Sequence, residues 1–250
     1  MTERKLALIT GSGKARVGNA VAEALAEAGF DIAIHYRTSE TQARESADAL
    51  AVFGIRAEVY PADLTVESEV KGLIARVTVD FGRIDVLVNC AAIWERKPLE
   101  KVTADDVRRH FEVNTLGTFL CAQLAGLHMV LQPTGGVIVN FGDWADIRPY
   151  EGYAAYFPSK SAIPGLTRSL AMELGTRNPN VRVNAILPGP VMLPVDLPEA
   201  ERREAINATL VKREGSPEHV ADAVLFLVRN DFITGVCLPV DGGRSVYAPS

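Results

Sequence analysis

Leu6-Ala7-Leu8-Ile9-Thr10-Gly11-Ser12-Gly13-Lys14-Ala15-Arg16-Val17-Gly18 stands close to the start of the 250-residue chain. Leu6–Thr10 is an unbroken apolar run, the mark of a strand buried on both faces of a parallel sheet. Val17, Val21, Leu25 and Ala28 then fall on one side of a helix, and Gly29 fits its end. A strand, a glycine turn and a helix in this order offer free N–H groups and the positive end of the helix dipole to a phosphate. The turn is an imperfect GxGxxG, because Arg16 occupies the third glycine position. A nucleotide-triphosphate loop does not fit: Leu8 stands where its first glycine belongs, and Ala15 where Ser or Thr must follow the lysine.

Outward from this unit the alternation repeats. Strands are expected at 31–36, 56–60, 84–89, 137–141, 181–187 and 236–239. Helices are expected at 39–53 (capped near Thr38 or Ser39), 66–81, 104–130, 154–175 and 217–229. Seven strands alternating with helices imply an α/β Rossmann-type, doubly wound fold: a seven-stranded parallel sheet with helices on both faces, as one domain over 1–250. Four prolines between 187 and 199 mark a long loop after the sixth strand. Its place at a strand's carboxyl end makes about 188–215 a candidate substrate loop.

Composition sets limits. The formal charge of −5 lacks the basic footprint of a nucleic-acid binder and disfavours anionic membranes. No apolar stretch approaches the length of a membrane span, and the first residues lack a signal-peptide core. Cys90, Cys121 and Cys237 form no CxxC pair and read as buried thiols of a reducing compartment, placing the protein in the cytoplasm. His110, His128 and His219 lie on expected helices with no second ligand at metal spacing, so no metal is expected.

The second strand ends in Tyr36-Arg37-Thr38-Ser39. A carboxylate there accepts from the ribose 2′-OH of NAD, and none is present. Arg37, the two hydroxyls, and Lys14 and Arg16 nearby suit a 2′-phosphate, so the cofactor expected is NADP(H). Further on, Tyr156 and Lys160 are one helical turn apart and share a face. A nearby ammonium favours a phenolate and brings a tyrosine toward working range as an acid or base.

The order of these motifs resembles the short-chain dehydrogenase/reductase family from end to end. Thr10, Gly11 and Gly18 match its glycine loop, with Lys14, Arg16 and Val17 between them. Asp63-Leu64 matches the adenine contact, and Asn89-Cys90-Ala91-Ala92 its NNAG segment. Asn114-Thr115-Leu116-Gly117 resembles the NxxG helix whose Asn supports a water chain to the lysine. Tyr156 and Lys160 match the active pair, Pro188-Gly189 with Val191 the segment after the sixth strand, and Asp241-Gly242-Gly243 the C-terminal pattern. The resemblance implies an oxidoreductase acting on a small molecule, and a homotetramer built on the 104–130 and 154–175 helices.

One departure concerns the chemistry. The family's catalytic serine lies thirteen residues before the tyrosine, and here that position is Asp143. An ionised Asp cannot donate a hydrogen bond to a carbonyl oxygen. Three readings stand: a site that binds cofactor without catalysis, a protonated Asp143 acting as donor, or Asp143 and Tyr156 jointly delivering a proton to nitrogen. The third resembles the pteridine reductases of the family, which combine an Asp–Tyr–Lys set with Arg in the glycine loop (Arg16) and a ring-stacking aromatic at the place of Trp94. Trp144, Tyr150 and Tyr153 are candidate pocket walls. The expected activity is NADPH-dependent reduction of a pterin-like heterocycle. The alternatives are a carbonyl reductase of ketones or 3-oxoacyl groups, and a non-catalytic NADP-binding sensor.

Overall fold

The computed structural model describes residues 4–14 and 16–247. Ala15 of the glycine turn and both ends of the expected 1–250 domain lie outside the described residues.

Seven parallel strands form one sheet in the order β3-β2-β1-β4-β5-β6-β7. They are β1 (Leu6–Thr10), β2 (Asp31–Tyr36), β3 (Ala57–Pro61), β4 (Val86–Asn89), β5 (Gly136–Phe141), β6 (Val181–Pro188) and β7 (Cys237–Val240). The helices are α1 (Val17–Glu27), α2 (Glu40–Leu50), α3 (Glu67–Phe81), α4 (Ala104–His110), α5 (Gly117–Leu131), α6 (Tyr156–Gly175), α7 (Glu199–Asn207) and α8 (Pro217–Arg229). Alternate strand residues feed opposite cores. Ala7, Ile9, Ile34 and Val88 pack with α1, α2 and α8, and Leu6, Leu8, Leu87 and Ile138 pack with α3, α5 and α6. Burial on both faces is why these strands read as continuous apolar runs.

The strand order reverses between β1 and β4, so the connections after these strands run to opposite sides and leave a crevice. The register aligns Thr10 with Asn89 and Asn89 with Asn140. The glycine turn, the Ala91 segment and the end of β5 therefore open at one edge. Ala91 N–H donates to Thr10 Oγ1 at 3.2 Å and ties two of these connections together.

Five expectations change. The helix expected at 104–130 is interrupted by a π-helical turn, Phe111–Leu116, which contains Asn114. The loop expected at about 188–215 contains α7. Its sequence, EAERREAIN, is rich in helix formers but buries no side chain, so no apolar stripe announced it. Ser39 stands at the N-cap of α2 but makes no capping hydrogen bond. Of the three free thiols only Cys121 is buried, while Cys90 and Cys237 are half-buried. The helical run Ala104–Leu131 is also long and apolar enough to cross a membrane, with a mean hydropathy of 1.2. Half of that window is buried, as in a core helix.

Candidate active site

Gly11 has φ +69, and a Cβ there would lie 2.6 Å from Ala91 Cα. Only glycine lets the turn pass this close to the neighbouring connection. His35, buried at the end of β2, fixes the same turn. Gly11 N–H donates to its Nδ1 at 3.1 Å, so Nε2 carries the proton and donates to the Ala62 carbonyl at 3.0 Å. Burial lowers the His35 pKa to about 4 and keeps the ring neutral. At Gly18, an added Cβ would meet Ser12 Cβ at 3.2 Å. The first turn of α1 has no side-chain cap and no acidic residue, so its free N–H groups face the groove.

A groove of about 440 Å³ runs across this edge. Gly11, Lys14, Arg16, Val17 and Gly18 form one wall, and Tyr36, Arg37, Thr38 and Ser39 its far end. Asp63, Leu64 and Ala91 lie along the floor, with Tyr156, Lys160, Pro188 and Gly189 at the near end. Arg37 pairs loosely with Asp63 at 3.8 Å. Donors at the far end, a glycine cradle with a bare helix N-terminus in the middle, and a Tyr–Lys pair at the near end fit an elongated nicotinamide dinucleotide.

Three expected residues stand behind these walls. Asn89 is buried and donates to Asn140 Oδ1 at 3.0 Å. Val191 is buried, its N–H bonded to the Gly189 carbonyl. Asn114 is buried in the π turn, where Oδ1 accepts from Ile93 N–H at 2.8 Å and Nδ2 donates to Ser159 Oγ at 3.0 Å. It therefore ties the connection after β4 to α6, one residue before Lys160.

Tyr156 opens α6 and Lys160 follows one turn later, both buried on the inner face. Pro158 falls in the tolerant first turn, and Pro164 inside the helix. Lys160 Nζ donates to the Phe141 carbonyl at 2.7 Å, and burial lowers its pKa to about 8. Tyr156 Oη donates to Asp143 Oδ2 at 2.8 Å, and Asp143 Oδ1 accepts from Ala145 N–H at 2.9 Å. Burial raises the pKa of the Asp143 carboxyl. The Tyr156 phenol is pushed well up, first by burial and then by Asp143. This corrects the expectation that Lys160 brings the tyrosine down: here the aspartate and burial dominate.

A second cavity of about 360 Å³ joins the groove at Trp94, Asp143 and Tyr156. Trp144, Tyr150 and Tyr153 line it, as do Arg244, Met192, Leu193 and Leu197. Trp94 lies parallel to Tyr153, ring centroids 5.0 Å apart, so one face of the indole is already occupied. Arg16 lines the groove and not this cavity. Sequence reasoning missed the roles of two groups. Arg244 follows the Asp241-Gly242-Gly243 turn, which was read only as a pattern. His35 is a histidine in an apolar strand, a signal of a fixed polar contact.

A dinucleotide groove at the switch point of a parallel sheet, ending at a buried Tyr–Lys pair, defines a nicotinamide-dependent oxidoreductase. The family profile described as Enoyl-(Acyl carrier protein) reductase matches residues 13–245. The short-chain reductase protein NovJ of Streptomyces niveus is 37% identical over 98% of this chain and 95% of its own length. An L-rhamnose 1-dehydrogenase (NAD(P)(+)) of a Sphingomonas species is 32% identical, covering 98% of each. The crystal structure of acetoin dehydrogenase from Enterobacter cloacae superposes with a TM-score of 0.89 at 33% identity, covering 100% of this chain and 98% of that one. The chain belongs to the short-chain dehydrogenase/reductase family.

Proposed function

We propose that the chain is an NADP(H)-dependent oxidoreductase that interconverts a ketone and a secondary alcohol on a small substrate. The observation that carries this is the Tyr156–Asp143 pair, hydrogen-bonded at 2.8 Å where the groove and the second cavity meet. Lys14, Arg37, Thr38 and Ser39 would hold the phosphorylated adenosine end, and Tyr156 and Lys160 the nicotinamide end. The bound nicotinamide supplies or accepts a hydride. When substrate binds, Tyr156 turns its hydroxyl from Asp143 to the substrate oxygen. Asp143, whose pKa burial raises, stands in the place of the family's serine and in its protonated form presents a second O–H. The Lys160 ammonium, fixed on the Phe141 carbonyl, stabilises negative charge as the phenolic proton leaves.

The pterin-like heterocycle expected from the sequence gains no support. The relatives named above carry no pterin in their names, Arg16 lies outside the cavity, and Tyr153 covers one face of Trp94. The test is oxidation of NADPH and of NADH against diacetyl, acetoin, aryl ketones and dihydrobiopterin. Ketone turnover favouring NADPH is the expected result. Turnover of dihydrobiopterin alone would overturn the substrate reading, and equal use of NADH the cofactor reading.

The assembly proposed is a homotetramer. Supporting it is an apolar groove between the π turn, α5 and α6, where Phe111, Leu116, Phe119 and Leu166 meet at the surface. Phe111 and Leu116 are both more than one-third exposed.

A further inference from the structure

The cavity beside Tyr156 holds a guanidinium that the reaction described above leaves unused. Arg244 lines it together with Asp143 and Tyr156. Its carbon sits 4.6 Å from the centroid of the Trp144 ring, so one face is stacked. Nη1 donates to the Ala205 carbonyl of α7 at 2.5 Å. Among the described residues Arg244 has no carboxylate within ion-pair distance, and its Nε is buried with no acceptor. A half-buried guanidinium without a counter-charge is costly to the free protein, and an anionic ligand in the cavity it lines would offset that cost.

The carboxylates around the same cavity make no ion pair with Arg244: Asp143 is bonded to Tyr156 and Ala145, and its charge and that of Glu204 act on Arg244 only at a distance. Glu201 is engaged by Arg96 at 3.5 Å. Glu151 and Glu204 are exposed at the mouth, where water screens them, whereas Arg244 is half-buried. One wall is built of flat rings, and Met192, Leu193 and Leu197 form an apolar wall beside them. Tyr150 lies 6.1 Å from Trp144 in a near-parallel stack, and Tyr153 meets Tyr150 edge to face. A cavity of about 360 Å³ has room for one ring with a short side chain.

We propose that Arg244 is the anchor for a carboxylate on the substrate, so that the enzyme acts on small aryl keto acids or the corresponding hydroxy acids. The inference rests on the ketone–alcohol reading above. The ring packs against Trp144, Tyr150 and the open side of Trp94. The carboxylate takes the Arg244 guanidinium where it lines the cavity, and the carbonyl carbon lies between, facing Tyr156 and Asp143. Arg244 is a binding residue, with no part in moving the proton or the hydride.

The experiment compares phenylglyoxylate, benzoylacetate and 3-benzoylpropanoate with their methyl esters, using NADPH and the full-length chain, in wild type, Arg244→Lys and Arg244→Met. The expected result is a preference of at least about tenfold in kcat/KM for one acid over its ester. It should be expressed mainly in KM, kept in part by Arg244→Lys and lost in Arg244→Met. Equal use of acid and ester by wild type, or a preference untouched in Arg244→Met, would overturn the proposal. A second measurement separates this from the underlying reading. The Kd of 3-phenylpropanoate against 3-phenylpropanamide is measured on the NADP-loaded enzyme. Tighter binding of the acid, abolished in Arg244→Met, supports the anchor even where no ketone is reduced, and that lack of turnover then counts against the ketone–alcohol reading alone. Equal Kd values for acid and amide would overturn the anchor.

Discussion

Asp143 does the work assigned to it only while its carboxyl keeps a proton. Burial raises its pKa, so the donor form is present below that raised value and lost above it. Ketone reduction should therefore fall as pH climbs through this pKa. Asp143→Asn keeps a donor that cannot ionise and should flatten that limb of the kcat/KM profile. Asp143→Ala removes the donor and should cost about 10²-fold in kcat. The same shift has a stability consequence. The folded protein binds the proton more tightly than the unfolded chain, so stability declines as pH rises from the unfolded toward the folded pKa. Asp143→Asn removes the penalty and should raise Tm at neutral pH, as read by calorimetry. His35 has the opposite sign. Its folded pKa of about 4 lies below the unfolded 6.5, so stability is present above that window and lost as pH falls through it, by about 3 kcal/mol. A variant His35→Leu should lose this pH dependence. It also leaves the Gly11 N–H without its acceptor and should weaken NADPH binding. At the far end of the groove, Arg37→Ala should raise KM for NADPH about 10–100-fold, the worth of a charge-assisted hydrogen bond, with little change for NADH.

At the scale of elements, the turn between β1 and α1 carries the tightest constraint. Gly11→Ala forces an L side chain into positive φ and drives its Cβ against Ala91 backbone. A loss of about 1–3 kcal/mol in stability is expected from the strain alone. Thermal melts with and without NADPH should show both a lower Tm and a smaller ligand-induced rise. Most elements were legible in the sequence because each strand is a short apolar run and each sheet-packed helix has an apolar stripe. The π turn and α7 were not. A π turn changes hydrogen-bonding by one residue without altering composition, and it is the tertiary contacts of Asn114 with Ile93 and Ser159 that give it a purpose. For α7, an exposed helix covering a cavity has no periodic apolar face to read.

For the molecule as a whole, the cofactor should couple to global stability, because it binds the folded chain and not the unfolded one. At 100 times its Kd, NADPH should stabilise the fold by about 2.7 kcal/mol, and the same concentration of NADH by clearly less. The apolar face at the π turn, α5 and α6 makes a separate prediction. Leu116→Glu places a charge in the proposed subunit contact and should shift the protein to a smaller species in sedimentation, whereas the wild type should sediment as a tetramer.

The amino-acid sequence by itself determined the sheet, the cofactor turn and the Tyr156–Lys160 pair, since these rest on local rules: strand burial, glycine at a tight turn, and one helical turn of spacing. It also exposed Asp143 at the serine position. Tertiary structure alone set the surroundings of Asp143: burial raises its pKa, while the hydrogen bond from Tyr156 at 2.8 Å acts the other way. It left Arg16 off the lining of the cavity beside Tyr156 and set Trp94 against Tyr153. It also brought Arg244, a hundred residues along the chain, to the Trp144 ring. Contacts between residues distant in sequence leave no period or spacing to read, and their energies depend on burial that exists only once the chain has folded.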